Sequence, residues 1–415
     1  MKIALLHYSS PPIVGGVESV LAHHARLMAN AGHEVTILAG RGESFDERIP
    51  VRVLPRLDSR HAEMMEIKAA LDTGKHTPAF DMLKAQIREE LADALTDFDI
   101  LIAHNVASLN KNLPLTAALH EASQTAGFPR VILWHHDLAW TTPRYRDELH
   151  DGYPWDLLRT HWEGVTQVVI SELRRQELAE LFRIPSGTIR VAPNGVDINA
   201  FFKFEPQTIE LVEKLKLMEA DPLFLLPVRL TPRKNIELAL HILAELRHEY
   251  PQAMLLVTGP EGPHNPANKA YKQKLLHLRD ELKLQNSAHF LAEVTAEFMP
   301  DAVIADFYRM ADALLFPSRE EGFGIPLIEA AFSHMPVFCA DIPVLRELGG
   351  DDLTYFDPDA DPAGVAKQVK VRLEAEVTSR WGRRAKHGYA WGQIYARHID
   401  PLIQEVFSWK QKSVR

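Results

Sequence analysis

The sequence predicts an α/β protein made of two consecutive doubly wound, Rossmann-like parallel-sheet domains. Three observations carry this. Short apolar runs alternate with long amphipathic segments along the whole chain, and the runs lack the alternating polarity of half-solvated strands. The series lapses once, near residue 200, and then begins again. The chain is long enough for more than one core, with 415 residues of which 46% are hydrophobic and 25% charged. A formal net charge of -10 speaks against nucleic acid as a partner and against polybasic attachment to anionic membrane. The single cysteine, Cys339, excludes an internal disulfide framework and a cysteine-based zinc site. The opening MKIALLHYSSPPIVGG has too short an apolar core for a signal peptide. No run of about 18 apolar residues occurs. A cytoplasmic protein without a transmembrane segment is the expectation.

The first strand is Lys2–Leu6, followed by a loop and a helix from Val17 to about Ala31 that Gly32 closes. Glu34–Leu38, Ile100–Ala103, Val131–Trp134 and Gln167–Ile170 read as further buried strands. Between residues 41 and 98 strand signals are poor and charges are mixed. Asp81–Leu95 reads there as a surface helix, within either a solvated excursion or a mobile flap. The second series comprises Leu223–Val228, Ala253–Thr258, Ala288–Leu291, Ala313–Phe316, Val337–Ala340 and Leu353–Phe356, with helices at Ile236–Arg247 and Asn268–Leu284. His387–Trp409 is a long amphipathic segment belonging to no strand. The expected domains are 1–200, 201–386 and a terminal helix over 387–415.

Several residues could carry chemistry. In LFPSREEGFGIPLIEAA a strand runs into a turn and Pro326 sits where a helix would begin. The N–H groups of Gly322, Phe323, Gly324 and Ile325 would then stand at a helix N-terminus, a ready anion site. Glu321 and Glu329 form an E-x7-E arrangement, and a carboxylate near such a turn can accept two hydroxyl hydrogen bonds, as a ribose diol offers. Alternatively Glu329 merely complements the helix dipole. Arg229 and Lys234, directly after Leu223–Val228, place a planar fork of donors and a compact cation at the end of a strand. Together they suit a diphosphate, although a basic surface turn has the same composition. Gly15 and Gly16 open a helix without the dinucleotide fingerprint. Asp97 with Asp99, and Asp357–Asp361, read as a turn and as a turn with a helix N-cap, not as metal sites. Cys339 reads as a small buried side chain, and His23–His24 have no metal-ligand spacing.

Taken together, R-x4-K followed by E-x7-E resembles the retaining glycosyltransferases of family 4, which have the GT-B fold. The resemblance spans nearly the whole chain. It includes Val191–Asp197 (VAPNGVD), Val169-Ile-Ser-Glu-Leu-Arg, Trp134-His-His-Asp-Leu, Phe356-Asp-Pro-Asp and Tyr389-Ala-Trp-Gly.

That resemblance implies two domains facing across a cleft, with the terminal helix crossing back to the first. It implies transfer of a hexosyl group from a nucleotide-diphosphate sugar of the UDP-glucose or GDP-mannose type to an acceptor hydroxyl, with no cofactor and no metal. Arg229 and Lys234 would bind the diphosphate, Glu321 the sugar hydroxyls and Glu329 the ribose. Gly15 and Gly16 would let backbone approach the donor. His136, or its neighbour His135, would face the donor sugar. Acceptor choice is read from one loop only. Arg144, Tyr145 and Arg146 mix aromatic and cationic side chains that suit a small, soluble, anionic acceptor. The alternatives are a lipid-linked or polysaccharide acceptor for cell-envelope synthesis, and a non-catalytic sugar-nucleotide-binding module. A sugar-nucleotide epimerase or a pyridoxal-phosphate-dependent phosphorylase of the same layout would be distinguished by single-substrate turnover or by an aldimine absorbance. Oligomeric state is not legible.

Overall fold

The computed structural model describes residues 1–261, 266–295 and 298–412. The chain forms two compact units, one comprising Met1–Gly195 with the chain from Trp391 onward, the other Val196–Ala390. The crossings at 195/196 and 390/391 replace the expected 200/201 and 386/387. The reason lies in two helices, described below, that run through the expected boundaries. Residues 413–415 of the expected terminal segment lie outside the described residues.

The first unit contains β1 (Lys2–His7), α1 (Gly16–Asn30), β2 (Glu34–Ala39), β3 (Val51–Val53), α2 (Ala62–Leu71), α3 (Pro78–Ala94), β4 (Ile100–His104), α4 (Leu113–Ser123), β5 (Arg130–His135), β6 (Thr166–Val169), α5 (Glu172–Phe182) and β7 (Arg190–Val191). Among the described residues the strands form one parallel sheet in the order β3-β2-β1-β4-β5-β6-β7. Alternate residues of each strand serve opposite cores, as a pleat requires. Ala4 and Leu6 of β1 join one cluster, and Ile3 and Leu5 join the other.

Helices α2 and α3 correct the reading of residues 41–98 as a solvated excursion. Met64, Ile67, Leu71, Phe80, Leu83, Ile87 and Leu91 are all buried against the sheet face that carries Ala4 and Leu6. Phe80, Leu83, Ile87 and Leu91 recur at helical spacing, and the intervening charges hide that stripe from a composition-based reading.

The opposite face is closed by α1 and by the terminal segment. That segment runs through Trp391–Ile394, a π-helical turn at Tyr395–Ile399 and Asp400–Lys412. Trp391, Ile394, Ile399, Leu402, Ile403 and Val406 are buried there with Ile3, Leu5 and Trp134. At about 1.5–3 kcal/mol for each buried side chain, the segment contributes on the order of 10 kcal/mol.

The second unit contains α6 (Ile198–Phe202), α7 (Pro206–Lys214), β8 (Leu223–Leu226), α8 (Ile236–Leu246), β9 (Met254–Val257), α9 (Pro266–Glu281), β10 (Ala288–Phe290), α10 (Leu291–Val294), α11 (Asp301–Met310), β11 (Ala313–Phe316), α12 (Ile325–Phe332), β12 (Val337–Ala340), α13 (Pro343–Gly349), β13 (Thr354–Phe356), α14 (Pro362–Ala375) and α15 (Val377–Tyr389). Its parallel sheet runs β10-β9-β8-β11-β12-β13 among the described residues. The lapse after residue 196 is thus helical and belongs here. Fully buried Asp306 accepts hydrogen bonds from Glu205 N (2.8 Å) and Thr208 Oγ1 (2.6 Å), fixing the start of α7. Likewise α15 carries residue 387 through to Tyr389, beyond the expected end of the domain.

Candidate active site

In each sheet the strand order reverses between two central neighbours, β1 and β4 in the first unit, β8 and β11 in the second. Loops leaving such a pair diverge to opposite faces and open a crevice at the carboxyl ends of the strands, where ligands of this architecture bind. The residues singled out from the sequence fall largely on these two switch points.

In the second unit, the chain leaving β8 passes so close to the end of β9 that a Cβ on Gly259 would lie 2.1 Å from Val228 O. Arg229 stands exposed at the start of this loop. A short 3-10 turn, Pro232–Lys234, then carries Lys234 inward. Lys234 Nζ meets Glu321 Oε1 at 2.5 Å, with only 10% and 9% of the two side chains exposed. Nζ also lies 5.7 Å from the Phe316 ring centroid. An ion pair so covered gains little net stability, because desolvation offsets the attraction. Its effect is to place a cation and a carboxylate side by side at fixed positions.

The loop after β11 supplies the partner. Arg319 N donates to Arg233 O (2.8 Å), tying the two loops together. Ser318 is fully buried, with its Oγ unpaired. Gly322 has open space where a Cβ would be, and Phe323 is exposed. Gly324 has a φ of +100°, and a Cβ there would come within 2.8 Å of Leu345 Cδ2, so glycine is required twice over. It caps α12 and, having no side chain, supplies no capping hydrogen bond to the N–H groups opening that helix. Glu329 lies on α12 beside Tyr308 of α11, whose hydroxyl donates to Pro326 O at 3.5 Å. Burial first, and then this carboxylate, push the Tyr308 phenol far above its usual range.

In the first unit, Gly15 and Gly16 open α1 as expected, with unequal needs. A Cβ on Gly15 would lie 2.1 Å from Glu18 Oε2, while Gly16 has open space. Glu18 Oε1 accepts from Ser9 Oγ (2.6 Å) and lies 4.0 Å from His7 Nε2. His136, just past β5, is buried. Its backbone N donates to Asn105 Oδ1 (2.7 Å), and its Nε2 lies 3.1 Å from His104 Nδ1. His135 is turned to another partner, Gln167 Oε1, at 2.8 Å. Burial lowers the pKa of His136 to about 3 and of His135 to about 4.

Arg144, Tyr145 and Arg146 lie on the short helical turn Pro143–Glu148. Both arginines are exposed. Arg144 Nη2 donates to the Tyr145 hydroxyl (3.0 Å), and Tyr145 packs on the core. The acidic motifs are structural: Asp99 Oδ2 accepts from Lys2 N (2.9 Å), and Asp361 Oδ2 caps α14 at Gly364 N (3.0 Å). Cys339 is buried in β12, its thiol pushed up to about 12 by burial. Among the described residues no group of three or more His, Cys, Asp or Glu could hold a metal ion.

Two family models match, end to end. Residues 14–200 match Glycosyltransferase Family 4, and residues 207–388 match Glycosyl transferases group 1. The chain belongs to the family-4 glycosyltransferases. A mannosylglucosylglycerate synthase from Petrotoga mobilis is 27% identical over 84% of this chain and 84% of its own. An MMP α-(1→4)-mannosyltransferase from Mycolicibacterium hassiacum is 26% identical over 96% of this chain and 97% of its own. A solved sucrose-phosphate synthase from Thermosynechococcus elongatus aligns over 98% of this chain and 99% of its own, at 17% identity and a TM-score of 0.40.

The glycosyltransferase is therefore an enzyme, and its two Rossmann-like units are of GT-B type. Its group 1 match spans Arg229, Lys234, Glu321 and Glu329, and its family 4 match spans Gly15, Gly16 and His136. Sequence reasoning missed His7, His104, Asn105 and Tyr308 in this glycosyltransferase. For His104 and Asn105 a signal existed. They end a buried strand at a switch point, the place where polar residues carry most information. Tyr308 had none, since only the fold brings α11 beside α12.

Proposed function

We propose that this glycosyltransferase moves a hexosyl group from a nucleotide-diphosphate sugar to an acceptor hydroxyl with retention at the anomeric carbon. The observation that carries the reading is the Lys234–Glu321 pair at the mouth of β8 and β11, beside the uncapped start of α12. A diphosphate and the sugar it carries are adjacent in the donor, as this cation and carboxylate are adjacent in the protein. Arg229, Lys234 and the N–H groups of Gly322–Ile325 take the diphosphate, Glu321 the sugar hydroxyls and Glu329 the ribose. The resemblance assigns His136 to the sugar.

In the reaction, the bond between the anomeric carbon and the β-phosphate oxygen breaks as the acceptor oxygen attacks from the same face. The acceptor's proton passes to the departing phosphate. Negative charge grows on that phosphate, so contacts from Arg229 and Lys234 strengthen towards the transition state. No cofactor and no divalent metal enter this scheme. Both relatives described above carry "mannosyl" in their names, which favours a nucleotide-mannose donor.

A soluble, anionic acceptor read by Arg144 and Arg146 is the proposed second substrate, and the glycerate in one relative's name supports it. Among the described residues no helix is long and apolar enough to cross a membrane, and we place the reaction in the cytoplasm. The test is a thermal-shift panel of uridine-, guanosine- and adenosine-linked sugars, then an acceptor screen read by nucleotide release with and without chelator. A guanosine-linked sugar should give the largest shift, and transfer should survive the chelator. Restoration by manganese after chelation, or transfer confined to membrane extracts, would overturn the metal and acceptor assignments respectively.

A further inference from the structure

The rings of His7, His24, His104 and His136 form one buried group at the end of β1, the middle of α1, the end of β4 and the residue after β5. His24 and His136 lie 5.3 and 5.4 Å from His104, centroid to centroid, and Trp134 stacks on it at 5.6 Å. Glu18 and Lys111 face this group through His7. Burial is the first cause holding every one of these histidines below its ordinary pKa, so all are neutral near pH 7.

Neutral rings each carry one proton, and the contacts decide where it sits. His7 Nδ1 lies 2.8 Å from the carbonyl oxygen of His104, which can only accept, so His7 is protonated on Nδ1. His104 Nδ1 and His136 Nε2, 3.1 Å apart, share one proton. If His136 supplied it, His104 would carry its own proton on Nε2, which is buried without a partner. An orphaned N–H is the costlier arrangement. If His104 donates from Nδ1, only a lone pair is left unmatched on Nε2.

We propose that His104 is a positioning residue that fixes His136 in the tautomer protonated on Nδ1. His136 then offers a neutral hydrogen-bond donor to a sugar hydroxyl oxygen, while Asn105, the next residue of the same strand end, holds its backbone. This rests on the reading of His136 as a donor-sugar contact.

The direct test is a nitrogen–proton correlation spectrum of the full-length enzyme with isotope-labelled histidine, assigned with His136→Gln. A proton on Nδ1 of His136 is expected, and a proton on its Nε2 overturns the proposal. Kinetically, His104→Phe should lower kcat/KM for the sugar nucleotide about ten-fold, as for one lost hydrogen bond. Inhibition by the free nucleoside diphosphate should stay unchanged, and His104→Asn, which keeps a donor near the Nδ1 position, should recover most of the loss. Equal kinetics for wild type and His104→Phe also overturn it. Full activity in His136→Gln would instead remove the underlying reading of His136, whatever the tautomer.

Discussion

Replacing Lys234 with alanine strands the covered carboxylate of Glu321, so two losses should appear together. Transfer should fall by at least about a hundred-fold, as when an oxyanion donor is removed. Unfolding free energy should fall by about 3–5 kcal/mol, the cost of breaking a buried pair from one side. The double variant Lys234→Met/Glu321→Leu separates them: denaturant unfolding should return towards wild type while activity does not. A stable and active double variant would end the assignment of both residues to the donor. Tyr308→Phe removes the hydroxyl that neighbours Glu329 and donates to Pro326 O, and should raise KM for the sugar nucleotide several-fold, with kcat little changed. Steady-state kinetics over a donor series reads this directly. The R-x4-K and E-x7-E spacings were legible in the sequence because each pair is short-range and sits at the end of a strand. The pairing of His104 with His136 was not, because the two are 32 positions apart and only the pairing of β4 with β5 makes them neighbours.

Among the secondary-structure elements, the terminal segment begins at a close contact between one aromatic ring and one glycine. Trp391 is buried, and a Cβ on Gly195 would lie 2.6 Å from its Cδ2. Trp391→Ala should cost about 3–5 kcal/mol, and Gly195→Ala should also destabilise because it overpacks the same spot. Combined, the two should cost less than their sum, since the added methyl enters the space the indole vacates. Strict additivity in denaturant titrations would show that the contact is not the cause. The apolar strands were legible because burial on both faces leaves them few polar positions. The strands β3 and β7 were not, for Val51–Val53 and Arg190–Val191 are too short to show any period. Helix α3 was legible as Asp81–Leu95, but its buried stripe from Phe80 to Leu91, and the whole of α2, were hidden by charged outer faces.

For the whole molecule, the buried histidines set the response to acid. His7 and His135 are lowered to about 4, and His24 and His136 to about 3, from an ordinary 6.5, with burial the first cause in each case. The unfolded chain therefore binds more protons than the native one between about pH 6.5 and 3–4. Stability is complete above that window and is lost as pH falls through it, by up to about 1.4 kcal/mol per pH unit for each such group. His24 has neither ring nitrogen hydrogen-bonded. His24→Phe should raise the urea midpoint at pH 5 and flatten its pH dependence, and an unchanged slope would show that His24 does not titrate on unfolding. At this scale the charge and composition speak against nucleic acid but leave donor and acceptor undetermined, because neither an E-x7-E spacing nor a basic loop encodes a base or an acceptor.

The second unit also begins and ends at one place: Val196 and Ala390 form a parallel bridge, and Val196 N donates to Tyr389 O at 2.7 Å. It is an insertion into the first, one of whose sheet faces is only partly covered, by α1, until residues 391–406 have been made. On a ribosome adding about 5–20 residues per second, the N-terminal half therefore waits roughly 10–40 seconds, its β1 and β5 side chains open to chaperones and proteases, while the inserted body matures ahead of it. Protease pulses on released chains that end at residue 390 should find 196–390 resistant and 1–195 cut, and equal resistance of the two would show that the terminal segment is not needed to close the first unit.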